Sequence, residues 1–173
     1  FKGSRVNSIP DIVVFVNGLP LVVIEAKIPK VDISDIPDLL YYQENSPKLF
    51  YYNQICSAIN RINALYGTIE SSMEFYSKFN EAPSDELIAL IDREVTPQDV
   101  MIYNLFKKEN FLDIVKYFII FEVVEGKTIK KLPRYQQLRA VNKIIHRLKT
   151  QNQGGVVWHT QGSGKSITMI YLA

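Results

Sequence analysis

The sequence predicts an α/β protein: a mixed sheet with helices, then a helical connector, then the first strand and helices of a second α/β unit. Three observations carry that reading. β-Branched, apolar runs broken by turn residues fill positions 1–82. Apolar stripes at helical spacing, each preceded by capping residues, fill positions 83–126. A strand, a glycine loop and a helix then follow one another within positions 127–173.

The elements follow in order. Residues 11–16 and 21–24 are β-branched runs around Asn17-Gly18-Leu19-Pro20, a hairpin signal. A helix over 36–42 is expected after the start signals Asp35 and Pro37, and strands over 50–58 and 64–69 around the polar turn Asn60-Arg61-Ile62-Asn63. Ser84-Asp85-Glu86, Thr96-Pro97-Gln98-Asp99 and Asn110 each open an apolar stripe, which gives three helices ending near Phe121. Leu138, Val141, Ile144, Ile145 and Leu148 share one face of a helix over 134–149 whose opposite face is basic. Gln151-Asn152-Gln153-Gly154 breaks it, 155–158 reads as a buried strand, and 167–173 starts another helix.

Composition narrows the class. Of the 173 residues, 47% are hydrophobic and 22% charged, which fits a globular protein and not a disordered one. No apolar run approaches the roughly 18 residues of a membrane span, and positions 1–10 hold no apolar signal core. The single cysteine, Cys56, has no partner for a disulfide or a Cys/His zinc cluster, so a reducing, cytoplasmic setting is expected. Residues 1–126 hold all 18 acids and eleven of the 20 Lys and Arg, a net charge of −7; residues 127–173 hold the other nine and no acid, a net charge of +9. That change of sign marks a boundary near Gly126 and suggests an anionic partner for the basic stretch.

The segment His159-Thr160-Gln161-Gly162-Ser163-Gly164-Lys165-Ser166 lies between the expected strand and helix, the setting of a phosphate-binding loop. Gly162 and Gly164 let the backbone around Ser163 turn its N–H groups onto phosphates at a helix N-terminus. Lys165 is placed to reach the β and γ phosphates of ATP, and Ser166 to put its hydroxyl on Mg²⁺. His159 stands where the usual pattern has its first glycine. About 28 residues upstream, Gln137 opens the basic helix, and a carboxamide can pair with both N6 and N7 of adenine.

A second constellation sits on the hairpin. Glu25 and Lys27 end an apolar strand two residues apart, so they leave the same face. Asp11 joins them if it pairs opposite Glu25, which needs an odd-length loop or a bulge; a plain two-residue loop sets it against Ile24. Converged, Asp11 and Glu25 could hold Mg²⁺ with the Ala26 carbonyl and water, and Lys27 would add a positive group beside an attacking water. The competing account is an ordinary salt bridge at a strand end.

Pro10-Asp11 with Glu25-Ala26-Lys27 resembles the PD-(D/E)xK nuclease motif. PDIVVFVNGLPLVVIEAK, SPKLFYYNQ, ALYGTI, GKTIKKLPRYQQLRAVNK and GGVVWHTQGSGKS together, in this order, resemble the restriction subunit of type I restriction-modification enzymes. The resemblance implies an incomplete PD-(D/E)xK domain, a helical connector and the start of a RecA-like, superfamily 2 helicase domain. It further implies a subunit that translocates double-stranded DNA with ATP, cleaves it with Mg²⁺, and works with methylation and specificity subunits. Asp11, Glu25 and Lys27 fall on the nuclease motif, Gly162, Ser163, Gly164, Lys165 and Ser166 on the first helicase motif, and Gln137 on the glutamine motif. The family often carries a glutamine four residues before a tyrosine on the next helix; Tyr42 fits, but Asp38 takes the glutamine's place. The remaining motor motifs are not in this stretch, so it alone is expected to show no appreciable DNA-stimulated ATPase activity. Two other classes stay open: a docking fragment whose strand charges are merely paired, and another superfamily 2 helicase-nuclease.

Overall fold

A computed structural model of the chain describes residues 8–34 and 37–173. Residues 1–7, and the helix-start positions Asp35 and Ile36, lie outside the described residues. Five strands form one mixed sheet in the order β1 (Ile12–Val16), β2 (Leu19–Ala26), β3 (Ile55–Ile59), β4 (Ala64–Gly67), β5 (Ser77–Lys78). β2 and β3 are parallel and every other pair is antiparallel. A parallel pair needs a crossover, supplied here by α1 (Pro37–Asn45) and α2 (Pro47–Phe50).

Strand alternation sorts the core into two layers. Val23, Cys56, Ala58 and Leu65 face α1 and α2 and pack with Leu39, Tyr42, Leu49 and Phe50. Val22, Ile24, Ile55 and Tyr66 face the other way, toward α3 (Asp85–Leu90), α4 (Pro97–Phe106), α5 (Lys108–Tyr117) and α6 (Tyr135–Gln151). Val22, Val23, Leu49 and Ile55 are fully buried, and burial of one such side chain contributes about 1.5–3 kcal/mol. The second layer also takes in Tyr171 of α7 (Lys165–Leu172), so one apolar cluster runs through all three stretches of the sequence.

The connector helices start where their caps place them. Ser84 Oγ accepts from the Leu87 amide, and Thr96 and Asp99 form a reciprocal capping box at α4. The third helix begins at Lys108, before Asn110, and ends at Tyr117. A hairpin follows that the periodicity did not announce: β6 (Ile120–Val124) and β7 (Lys127–Lys131), joined by Glu125-Gly126 with both residues at positive φ. The change in charge sign therefore falls at the turn of one hairpin. Two further expectations are corrected. Residues 50–54 are not strand: Pro47 at the first position starts a short helix through Phe50, and the chain turns before β3. Residues 155–158 form no strand: they are irregular, no described strand pairs with them, and Val156 and Trp158 are about nine-tenths exposed. The far half of the α6 stripe, with Leu148 exposed, opens onto that same segment.

Candidate functional site

The hairpin settles the phase of the first constellation. Val16↔Leu19 and Phe15↔Pro20 close a two-residue Asn17-Gly18 turn with both turn residues at positive φ. The register then shifts, Val14 pairing with Val22, so Leu21 is an extra residue on β2. Pro20, which has no N–H for a ladder, sits beside this bulge. Beyond it Ile12 pairs with Ile24, and the next position sets Asp11 against Glu25. The bulge, not an odd-length loop, does what the arrangement requires.

Asp11, Glu25 and Lys27 consequently meet on the face that α1 covers. Asp11 Oδ2 accepts from the Ala26 amide at 2.8 Å, which pins its carboxylate at the end of β2. Glu25 is 3% exposed, and its neighbour on β3 is the small residue Ala58. Lys27 Nζ donates to Glu25 Oε1 at 2.6 Å and meets Asp38 Oδ2 at 2.8 Å. Asp38 and Tyr42 are one helical turn apart on α1, and both turn to the site; this i, i+4 spacing was the signal for them. The Tyr42 hydroxyl donates to the Ile9 carbonyl at 3.3 Å.

The electrostatics reflect this crowding. Burial raises the Glu25 pKa above the ordinary carboxylate value; the Lys27 hydrogen bond pulls it back in part, and the Asp11 charge raises it again. Hydrogen bonds to Asp38 and then Glu25 raise the Lys27 pKa and hold it cationic. Burial, with Glu25 and Asp38 nearby, pushes Tyr42 up to about 12. One atom is left over: Glu25 Oε2 is buried without a well-formed hydrogen bond, although the Tyr42 hydroxyl lies close enough to Glu25 to feel it. Among the described residues no group of three or more His, Cys, Asp or Glu closes on a single cation position, so any metal here rests on two carboxylates with backbone and water.

The glycine loop lies just before α7. Gly162 and Gly164 have φ of 76° and 80°, the left-handed turns that aim successive amides one way. Lys165 leads α7 and folds back onto the His159 and Thr160 carbonyls at 3.2 and 2.9 Å. Ser166 is exposed, and the Ser163 hydroxyl is buried without a partner. A cleft of about 1080 Å³ lined by Lys165, Ser166, Gln136, Arg139 and Trp158 opens in front. Gln137 is buried behind the loop, accepting from the Arg134 amide at 2.8 Å and donating to the Gly164 carbonyl at 3.2 Å. A Cβ at Gly164 would run into the Gln137 carboxamide, the end of a side chain that can shift, so the positive φ is the firmer reason for glycine there.

Among known proteins, residues 2–75 match the family described as "Type I restriction enzyme R protein N terminus", and residues 136–173 match "SWI2/SNF2 ATPase". The chain is 35% identical to the type I restriction enzyme HindI endonuclease subunit of Haemophilus influenzae, over 99% of its own length and 17% of that protein. It is 30% identical to the type I restriction enzyme SsaAORF53P endonuclease subunit of Staphylococcus saprophyticus, over 91% of its length and 16% of that protein. It thus spans about a sixth of the length of these relatives. No described helix is long and apolar enough to cross a membrane. With one family matched at each end and relatives aligned from end to end, the chain belongs to the R subunits of type I restriction enzymes, in their N-terminal region, and carries a SNF2-like ATPase segment.

Proposed function

We propose that this chain is the DNA-cutting domain and the opening of the ATP-driven motor of a type I restriction endonuclease subunit. The observation that carries the nuclease half is the convergence of Asp11, Glu25 and Lys27, with Glu25 Oε2 buried and lacking a well-formed hydrogen bond although the Tyr42 hydroxyl lies near. Such an atom is costly to bury unless a cation completes it. The hard oxygen donors of Asp11 and Glu25, with the Ala26 carbonyl, suit Mg²⁺. Bound there, Mg²⁺ would lower the pKa of a water and offset charge on phosphorus oxygens. Lys27, held cationic, binds the anionic phosphodiester and favours the charge that builds on it during hydrolysis. On this reading β1 to β5 with α1 and α2 form the PD-(D/E)xK core of residues 1–82, followed by a connector over 83–126.

Residues 127–173 are read as the start of a RecA-like domain. Lys165 would leave the His159 and Thr160 carbonyls to bind ATP phosphates, the amides of Gly162, Ser163 and Gly164 would help to hold them, and Ser166 would supply a hydroxyl to the accompanying Mg²⁺. Gln137 is assigned to adenine, which requires its carboxamide to leave the Gly164 carbonyl. Residues 155–158 are the first strand of this domain, completed by neighbouring strands in the full-length subunit. Double-stranded DNA meets the +9 stretch. Methylation and specificity subunits are the partners, in the cytoplasm.

The rival reading, a docking fragment with paired strand charges, draws on the Lys27 ion pairs. It leaves Glu25 Oε2 unexplained. Lys27→Ala in the full-length subunit, assembled with its partners, separates the two: cleavage falls by about 10²-fold or more while ATP-driven translocation persists. Cleavage at the wild-type rate would sink the nuclease assignment.

A further inference from the structure

Where β1 and β2 leave the sheet beside the carboxylates, the two strands carry the same dipeptide: Ile9-Pro10 runs into Asp11, and Ile28-Pro29 follows Lys27. Both isoleucines stand in solvent, Ile9 81% and Ile28 66% exposed, although the backbone beneath each is fixed. The Tyr42 hydroxyl donates to the Ile9 carbonyl, and Asp11 is pinned to the Ala26 amide. On the other strand the Lys27 amide donates to the Ile59 carbonyl and the Val31 amide closes a turn onto the Ile28 carbonyl. Asn60 Nδ2 holds the Val31 carbonyl, and Ile33 buries the far end of that loop. A residue before proline is biased to extended backbone, and a β-branched side chain has few rotamers. Two stiff apolar side chains therefore flank the site, and such groups lose little freedom on touching a partner.

Charge does not bring a polyanion to this place. Three carboxylates, Asp11, Glu25 and Asp38, stand around one ammonium, Lys27, and the next charges along the loop, Lys30 and Asp32, offset each other. Before a cation binds, the described groups at the strand ends are net negative and repel DNA phosphates. Glu25 is 3% exposed, so a phosphodiester reaches it only by coming close against the strand ends. Ile9 lies two residues before Asp11 and Ile28 three after Glu25. Chain length alone keeps each within about 10 Å of a carboxylate-bearing residue, a span of about three nucleotides along a duplex. Resting on the nuclease reading, we propose that Ile9 and Ile28 are an apolar DNA-positioning pair: they seat against the deoxyribose and groove edges beside the scissile phosphate and hold it over the carboxylates. Sugars recur unchanged at every base pair, so contacts to them place the DNA without reading its sequence.

The test uses the full-length subunit in its assembled complex, with cleavage and ATP-driven translocation measured beside Mn²⁺ binding, read by paramagnetic resonance on the nucleotide-free protein. Ile9→Ser and Ile28→Ser are each expected to slow cleavage about tenfold, and the double variant about a hundredfold, with translocation and Mn²⁺ binding within about twofold of wild type. Both side chains are exposed, so serine leaves folding intact, and unmoved Mn²⁺ binding reports an undisturbed Asp11–Glu25 pair. Leucine at either position restores cleavage to within about threefold, and lysine does not, because the contact is apolar. Ile28→p-benzoylphenylalanine, irradiated during translocation, crosslinks to DNA. Wild-type cleavage by the double serine variant, or a loss of Mn²⁺ binding that accounts for its slowing, would overturn the inference. So would faster cleavage by Ile28→Lys, which marks a phosphate contact, or a crosslink to a partner subunit in place of DNA, which marks a docking face. Glu25→Ala keeps the two levels apart: if it still cleaves, the nuclease reading itself fails, whereas an inactive Glu25→Ala beside an unaffected double serine variant removes only the role of the isoleucines.

Discussion

The carboxylate site at the end of β2 and the glycine loop before α7 are opposites in how they are specified and how they are supported. The loop is legible from a few contiguous residues, because its work is done by consecutive backbone amides, one lysine and one hydroxyl. Yet the segment leading into it is irregular and largely solvent-facing, and Lys165 rests on carbonyls of its own loop. The carboxylate site is thin as a pattern, since an aspartate, a glutamate and a lysine at loose spacing arise by chance. Yet its parts are fixed by a fully paired strand, a backbone amide and a covering helix. How distinctive a motif is and how rigidly it is held are separate properties. The first reflects how local the chemistry is, the second how much buried structure surrounds it.

Several measurements would break or sharpen this contrast. The largest effect is expected at Lys165→Ala, which removes the charge meant for the β and γ phosphates. ATP turnover by the full-length subunit should fall about 10²- to 10³-fold, while Mn²⁺ binding at the Glu25 site stays unchanged. A parallel loss of Mn²⁺ binding would show that the two sites are not independently supported.

A smaller effect concerns the scaffold beneath the sheet. Asp99 caps α4 and takes two hydrogen bonds from Arg93, at 2.7 and 2.8 Å. That guanidinium, with the Thr96 hydroxyl and amide, lowers the Asp99 pKa from 3.8 to about 2. A carboxyl depressed on folding stabilises the protein above its unfolded value and loses that contribution as pH falls through the folded one. Asp99→Asn should therefore cost about 1–2 kcal/mol at neutral pH. Denaturant titrations should show the gap to wild type closing between roughly pH 4 and pH 2. A gap independent of pH would mean that the cap acts without its charge.

The smallest effect is expected at Trp158, which is 90% exposed. In the 173-residue chain, Trp158→Ala should change unfolding stability by less than about 0.5 kcal/mol. In the full-length subunit, where neighbouring strands are proposed to cover it, the same change should cost about 3–5 kcal/mol. Equal costs in the two settings would contradict the assignment of 155–158 as an unpaired first strand.

Much of the fold could be read because it is local. The Asn17-Gly18 turn, the caps Ser84 and Thr96, and the α6 stripe each announce themselves within a few residues. What failed depended on context. Phe50, Tyr51 and Tyr52 have strand-forming side chains, but Pro47 opens a short helix that takes in Phe50, and the chain turns after it. Residues 155–158 have strand composition and no neighbouring strand, and composition cannot supply a partner. The β6–β7 hairpin was available in Glu125-Gly126 between β-branched runs, and was obscured by the preceding helical stripe. For the site, Glu25 and Lys27 on one face followed from strand period alone. The position of Asp11 depended on a bulge, for which Pro20 was the one visible sign.

That extra residue has a consequence for how such a chain can change length. Leu21 is the hairpin's slack: losing it would leave a plain two-residue-turn hairpin in which Asp11 still faces Glu25. Losing Val13, on the partner strand, would instead set Asp11 against Ile24 and turn the two carboxylates to opposite faces of an otherwise intact sheet. Both deletions would remove one apolar strand residue, but the first keeps the two carboxylates in phase whereas the second puts them out of phase.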